Sequence, residues 1–256
     1  MANFTTHIAV GIVASGVVST LVLAGGLVTE TEVLTLVGAG AVGAVLPDID
    51  LQKSRASQAM FSGLAVFLAF AVLLKIGMQY SLAEMWLMWA GTYLLVRYGG
   101  HNLFHAITEH RGIFHSLLAG IAFGLVTTIL FSKLLGTSDI VAWLGGLFML
   151  FGYIVHLVLD EIYSVDVLNE RIKSSFGSAL KLFDSHAPVA SASMAAVIVG
   201  LFLLTPPAKP IVSLVGSHDT WTYLHHRMLP EGKWFGVFGG ERPVSTATVT
   251  APAGGG

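Results

Sequence analysis

"HRGIFHSLLAGIAFGLVTTILF", residues 110–131, joins two kinds of sequence that rarely sit side by side. Its first seven residues hold two histidines, an arginine and a serine, and the fifteen that follow carry no charge. Such a run reads as a helix in lipid, where polar neighbours are expensive and need a reason. The rest of the chain agrees. Of 256 residues 54% are hydrophobic and 11% charged, against roughly 25% charged in a soluble domain, and the mean hydropathy is +0.77. The expected fold is all-α, a polytopic transmembrane helix bundle.

Seven apolar stretches follow from hydropathy, at 8–28, 34–47, 59–79, 82–100, 116–136, 140–160 and 189–205. Most approach the ~20 residues a helix needs to cross a bilayer. The second is short and rich in glycine, which lets neighbouring helices approach closely. The N-terminus has an apolar run but no Lys or Arg before Lys53, so it reads as a retained span rather than a signal peptide. Residues 1–205 are therefore expected to form one membrane domain. Residues 206–256, ending in "VSTATVTAPAGGG", are expected to form a polar, flexible tail.

With seven spans, the N-terminus and the ends of spans two, four and six emerge on one membrane face. Those places hold His7, "PDID" with Asp48 and Asp50, His110 and His115, and His156 with Asp160. The same loops carry Lys53, Arg55, Arg97, Arg111, Arg171, Lys173 and Lys181, against Lys75 and Lys133 in the short opposite loops. The positive-inside rule thus predicts a cytoplasmic cluster.

Local spacing points to a shared centre. His156 and Asp160 stand at i, i+4 and share a helix face. Pro47 disfavours helix at Leu46, so "PDID" is expected to be extended, with both aspartates on one side. With no cysteine in the chain, a metal would have to be held by imidazole and carboxylate, a set suited to Zn, Fe or Mn. Each group alone has a plainer reading. "PDID" is a turn, Ser116 a helix cap, and His156 with Asp160 a buried hydrogen-bonded pair. Convergence of ionisable groups at one membrane face favours a functional site. His101 and His105, also i, i+4, stay behind the plainer reading, and Glu109 stands where it can orient a histidine or act as a base. A net charge of −2 and the lack of a basic face exclude nucleic acid as an expected partner.

An early His followed by PDxD, HRGxxHS and HxxxD resembles the YdjM-type family of inner-membrane proteins regarded as metal-dependent hydrolases. The motifs lie at His7, "LPDIDLQKS" (46–54), "HRGIFHSLL" (110–118) and "GYIVHLVLDEIY" (152–163). The family is held to be distantly similar to the zinc phospholipase C and nuclease superfamily. The resemblance nominates His7, Asp48, Asp50, His110, His115, His156 and Asp160 as metal ligands, flanked by Arg111 and Ser116. One or two divalent ions per chain, zinc above iron or manganese, are then expected at the inner membrane. The implied activity is hydrolysis of a phosphoester, either a lipid or another membrane-associated substrate. Arg111 would neutralise charge on the phosphoryl oxygens, and Asp160 or Glu109 would handle the proton. Relatives tend to carry Trp-Pro after HxxxD; here "SVDVLNERIKSSFGSALKLF" (164–183) has neither, so substrate specificity does not carry over. Two other classes compete: a regulatory or scaffold protein with a structural metal, and a metal- or proton-coupled transporter.

Overall fold

The computed structural model describes residues 3–50, 54–76, 79–107, 114–166, 171–172, 181–182 and 187–228. These fold as ten α-helices: α1 (Phe4–Ala24), α2 (Glu30–Gly43), α3 (Arg55–Ile76), α4 (Leu82–Leu94), α5 (His101–Ile107), α6 (Leu117–Lys133), α7 (Asp139–Ile162), α8 (Pro188–Leu204), α9 (Lys209–Gly216) and α10 (His218–Met228). A 3-10 turn, Leu46–Asp50, follows α2, and a π-helical segment, Leu95–Gly100, joins α4 to α5. The described strands are two residues each, Val165–Asp166 paired antiparallel with Arg171–Ile172.

The all-helical class holds, while seven spans are not clearly seen. Among the described residues, three helices are long and apolar enough to cross a membrane: α1, α3 (over Ser57–Lys75) and α7. A fourth exists if α8 and α9, bent 93° at "TPP", count as one span. The remaining apolar stretches fall short for visible reasons. The glycine-rich α2 runs 14 residues before breaking at the 3-10 turn, α4 runs 13 before its π segment, and α6 runs 17. At 1.5 Å per residue, 14 residues cover about 21 Å of a core ~30 Å thick.

The centre of the bundle is built from α1, α2, α6 and α7. The buried face of α1 is His7, Gly11, Ser15 and Ser19, one residue per turn and all small or polar, while Val13, Val17 and Leu21 point outward. That is the inverse of a water-soluble amphipathic helix. Lipid gives no hydrophobic drive for helices to associate, so close packing of small residues must hold them. Added Cβ atoms show how close: one on Gly11 would meet Ala44, one on Gly152 the Gly40 carbonyl, and one on Gly146 the Gly124 carbonyl.

Two apolar clusters lie towards opposite ends of α7. One gathers Val28, Leu36, Phe131 and Val141 with Ile211 and Leu214 of α9, so the segment expected to be a tail from residue 206 begins with a helix that closes this end. The other gathers Leu46, Ile49, Ala119, Tyr153 and Leu157. Beside it lie the start of α1, the turn after α2, the start of α6 and the end of α7, so the buried polar groups collect here.

Candidate metal centre

His156 is fully buried on α7, and its Nδ1 lies 2.8 Å from the carbonyl oxygen of Ala44. A carbonyl only accepts, so Nδ1 carries the proton and donates it, and Nε2 is left with its lone pair. Nε2 is buried and has no hydrogen-bond partner among the described residues. It faces two carboxylates, 3.6 Å from Asp48 Oδ1 and 3.8 Å from Asp160 Oδ2. His115 Nε2 lies 3.9 Å from the same Asp160 oxygen. One ligand atom from each of Asp48, His115, His156 and Asp160 lies within 4.8 Å of the other three.

Those separations fit a metal ion. Two donors each about 2.0–2.2 Å from one zinc stand at most about 4.4 Å apart, so the 3.6–3.9 Å pairs already suit a common centre. Any pair wider than that needs to draw in by only a few tenths of an ångström, since all lie within 4.8 Å. The buried acceptor nitrogen of His156, with a carbonyl fixing its tautomer, is the arrangement a metal-binding histidine requires.

His7 completes the wall. Its ring stacks on His156 with centroids 3.7 Å apart, and its Nε2 comes to 3.3 Å from Asp160 Oδ1. Asp160 thus turns one oxygen towards His7 and the other towards His115 and His156. Three of the four clustered residues are buried, whereas the Asp48 side chain keeps 19% of its surface exposed. Asp48 is the most exposed of the four.

Backbone contacts place each member. Asp48 sits in the 3-10 turn rather than in an extended segment. The expectation of an extended "PDID" is thereby corrected. The side chain of Asp50 lies outside the described residues, as do Glu109, His110 and Arg111. His115 is held just before α6, where Ser116 Oγ accepts from Ala119 N at 3.4 Å. Phe114, the residue before it, receives the Tyr153 hydroxyl proton at its carbonyl oxygen. Leu117 N and Leu118 N donate to the carbonyls of Lys181 and Leu182, at 3.0 and 3.2 Å. His101 and His105 form a separate pair with ring centroids 4.5 Å apart, and His105 Nε2 lies 2.9 Å from Ser57 Oγ.

Sequence reading missed two contributors. The Ala44 carbonyl carries no side-chain signal at all. Tyr153 had one: a tyrosine one turn before His156 in an apolar helix, whose hydroxyl must find a partner when buried.

No curated protein and no solved structure matches the chain. The family model described as "YdjM inner membrane protein" matches residues 1–168, the part that contains the four-residue cluster and every element that positions it, save the 181–182 contact. With about two-thirds of its length matched, from α1 through the end of α7, this chain belongs to the YdjM inner membrane protein family.

Proposed function

We propose that the protein is a membrane-bound, metal-dependent hydrolase whose His/Asp centre acts on a phosphoester at the cytoplasmic face of the inner membrane. The observation that carries this reading is the buried, proton-free Nε2 of His156 facing two carboxylates and a second histidine. Asp48, His115, His156 and Asp160 are the residues that would hold the ion. A bound divalent metal supplies Lewis acidity towards a phosphoryl oxygen and a water acidic enough to act near neutral pH.

The chain's own residues do the rest. The Ala44 carbonyl fixes the His156 tautomer, and His7 orients Asp160. Asp48 keeps part of its side chain exposed, so it is better placed than the enclosed Asp160 to pass a proton to solvent. Arg111, in the same motif as His115, supplies positive charge for the phosphate. Burial of the other three ligands also suits a structural metal with no open coordination position. A coupled transporter fits less well, because its site should lie near the middle of the spans, whereas His7 and Asp160 stand near helix ends.

The test is metal content of the detergent-purified protein by elemental mass spectrometry, with Asp48→Ala and His115→Ala alongside. The expected result is one or two zinc, iron or manganese ions per chain, lost in both variants with helicity intact. Metal-loaded wild type should then hydrolyse p-nitrophenyl phosphate or phosphatidic acid in mixed micelles. Wild type that takes up none of the three metals would sink the proposal; metal without hydrolysis of either ester would leave the structural role.

A further inference from the structure

On the flank of the bundle, along α2, runs an apolar cavity of about 630 Å³. Its floor is α2, where Gly38, Ala39 and Ala41 provide almost no side chain. Met60, Leu64 and Phe67 of α3 form one wall, and α6 contributes Thr127, Leu130 and Phe131. Val42, Leu64 and Phe67 are each more than a third exposed, so the cavity is an open groove rather than a sealed void. Its length runs along α2 and the turn after it: Thr35 and Val45 both line it, and ten residues at about 1.5 Å per residue span about 15 Å.

Two observations say what fits. First, one end of the groove is lined by chain neighbours of residues that build the site. Val45 follows Ala44, whose carbonyl holds His156, and Ile8, also in the lining, follows His7. That end of the groove points a bound molecule towards the start of α1 and the turn after α2, the elements that carry His7 and Asp48. Second, about 15 Å is half of a hydrocarbon core ~30 Å thick, the depth one lipid chain occupies in its own leaflet. The helices bordering the opening, α1 and α3, are both long and apolar enough to cross that core.

We infer that this groove holds one acyl chain of a membrane phospholipid whose phosphate lies at the His/Asp cluster, so that the substrate is taken from the bilayer by its chain. The inference deepens the hydrolase reading and rests on it for the headgroup, while the chain site stands on the groove. It also gives a reason for the small-residue floor: Gly38 and Gly63, on facing helices, have nothing within 4 Å of an added Cβ. That space belongs to the ligand.

The same glycines allow a clean test. Leucine at either position fills the groove without meeting protein atoms at its Cβ, and Gly200→Leu on the exposed face of α8, equally open, is the control. The probe is phosphatidic acid carrying a diazirine midway along a palmitoyl chain, reconstituted with the purified full chain in nanodiscs. Adducts are located by peptide mass spectrometry, with metal content and helicity measured in parallel.

Labelling should concentrate on residues 35–45 and 59–67. It should fall about tenfold in Gly38→Leu and Gly63→Leu, as overpacking of an occupied site predicts, and stay at the wild-type level in Gly200→Leu. Even labelling over all outward helix faces, or labelling indifferent to both groove variants, overturns the inference. So does displacement of the label by a polyprenyl phosphate but not by unlabelled phosphatidic acid. The two readings fail separately. Groove labelling in a protein that binds no metal removes the hydrolase and keeps the chain site; metal and hydrolysis with even labelling do the reverse.

Discussion

Helices α3 and α7 are equally apolar over their best spans, yet 61% of the α7 window is buried inside the protein and only 22% of the α3 window. Hydropathy places both in the membrane and does not tell them apart. The difference lies in where small and ionisable residues fall. On α3 the buried positions include Ser57, Phe61, Ala65 and Ala69, a single stripe repeating every four residues. Its glycine, Gly63, faces open space. On α7, Gly145 meets Phe131, Gly146 meets α6 at Gly124, and Gly152 meets α2 at Gly40, so neighbours close on several sides. The same helix then carries His156 and Asp160 into the enclosed end. In a membrane protein the central helix is marked by what lets others touch it, not by how greasy it is.

Gly152→Ala should produce the largest effect, because it attacks that contact directly. Its Cβ would run into the Gly40 carbonyl, one turn from the Ala44 carbonyl that fixes His156. Overpacking of this kind costs about 1–3 kcal/mol. A lower thermal midpoint in detergent should therefore come with weakened metal binding, read by competition with a chelator. If stability falls and metal affinity does not, the α2–α7 approach is structural and independent of the site.

Tyr153→Phe comes next. It removes the hydroxyl that Phe114's carbonyl accepts and leaves the ring packing in place. The expected loss is about 1 kcal/mol of stability, with metal affinity down about 10–100-fold, as for other groups that orient a ligand. Unchanged affinity would mean that Leu117 and Leu118, through Lys181 and Leu182, hold His115 in place without help.

These two positions also show how far the sequence could be read. Helicity, the membrane setting and the convergence of His7, Asp48, His115, His156 and Asp160 were legible, because each follows from polar groups interrupting apolar runs. The span count was not, because a window sees the apolar content of α2, α4 and α6 but not the turn, the π segment or the end that cuts each short. The convergence of the groups does not depend on that count. In the structure the start of α1, the end of α2, the start of α6 and the end of α7 do meet, whichever of them cross the bilayer completely. The extended reading of "PDID" failed for a similar reason: the preference of a residue before proline is weak beside the packing of Leu46 and Ile49 into the cluster with Tyr153 and Leu157. No pattern rule reaches the Ala44 carbonyl, since a backbone acceptor looks the same at every residue.

Gly63→Ala is the smallest perturbation and the sharpest control on the comparison. Chemically it equals Gly152→Ala, a single methyl on a glycine in an equally apolar helix. At Gly63 the methyl meets nothing within 4 Å, so only the intrinsic cost of glycine in a helix is relieved, about 0.5–1 kcal/mol. The thermal midpoint should rise slightly with metal affinity unchanged. If it falls as far as in Gly152→Ala, α3 is packed at Gly63 against a further protein surface, such as a second copy of the chain. A small gain here and a clear loss at Gly152 would establish that position within the bundle, not apolarity, decides which membrane helix carries the site.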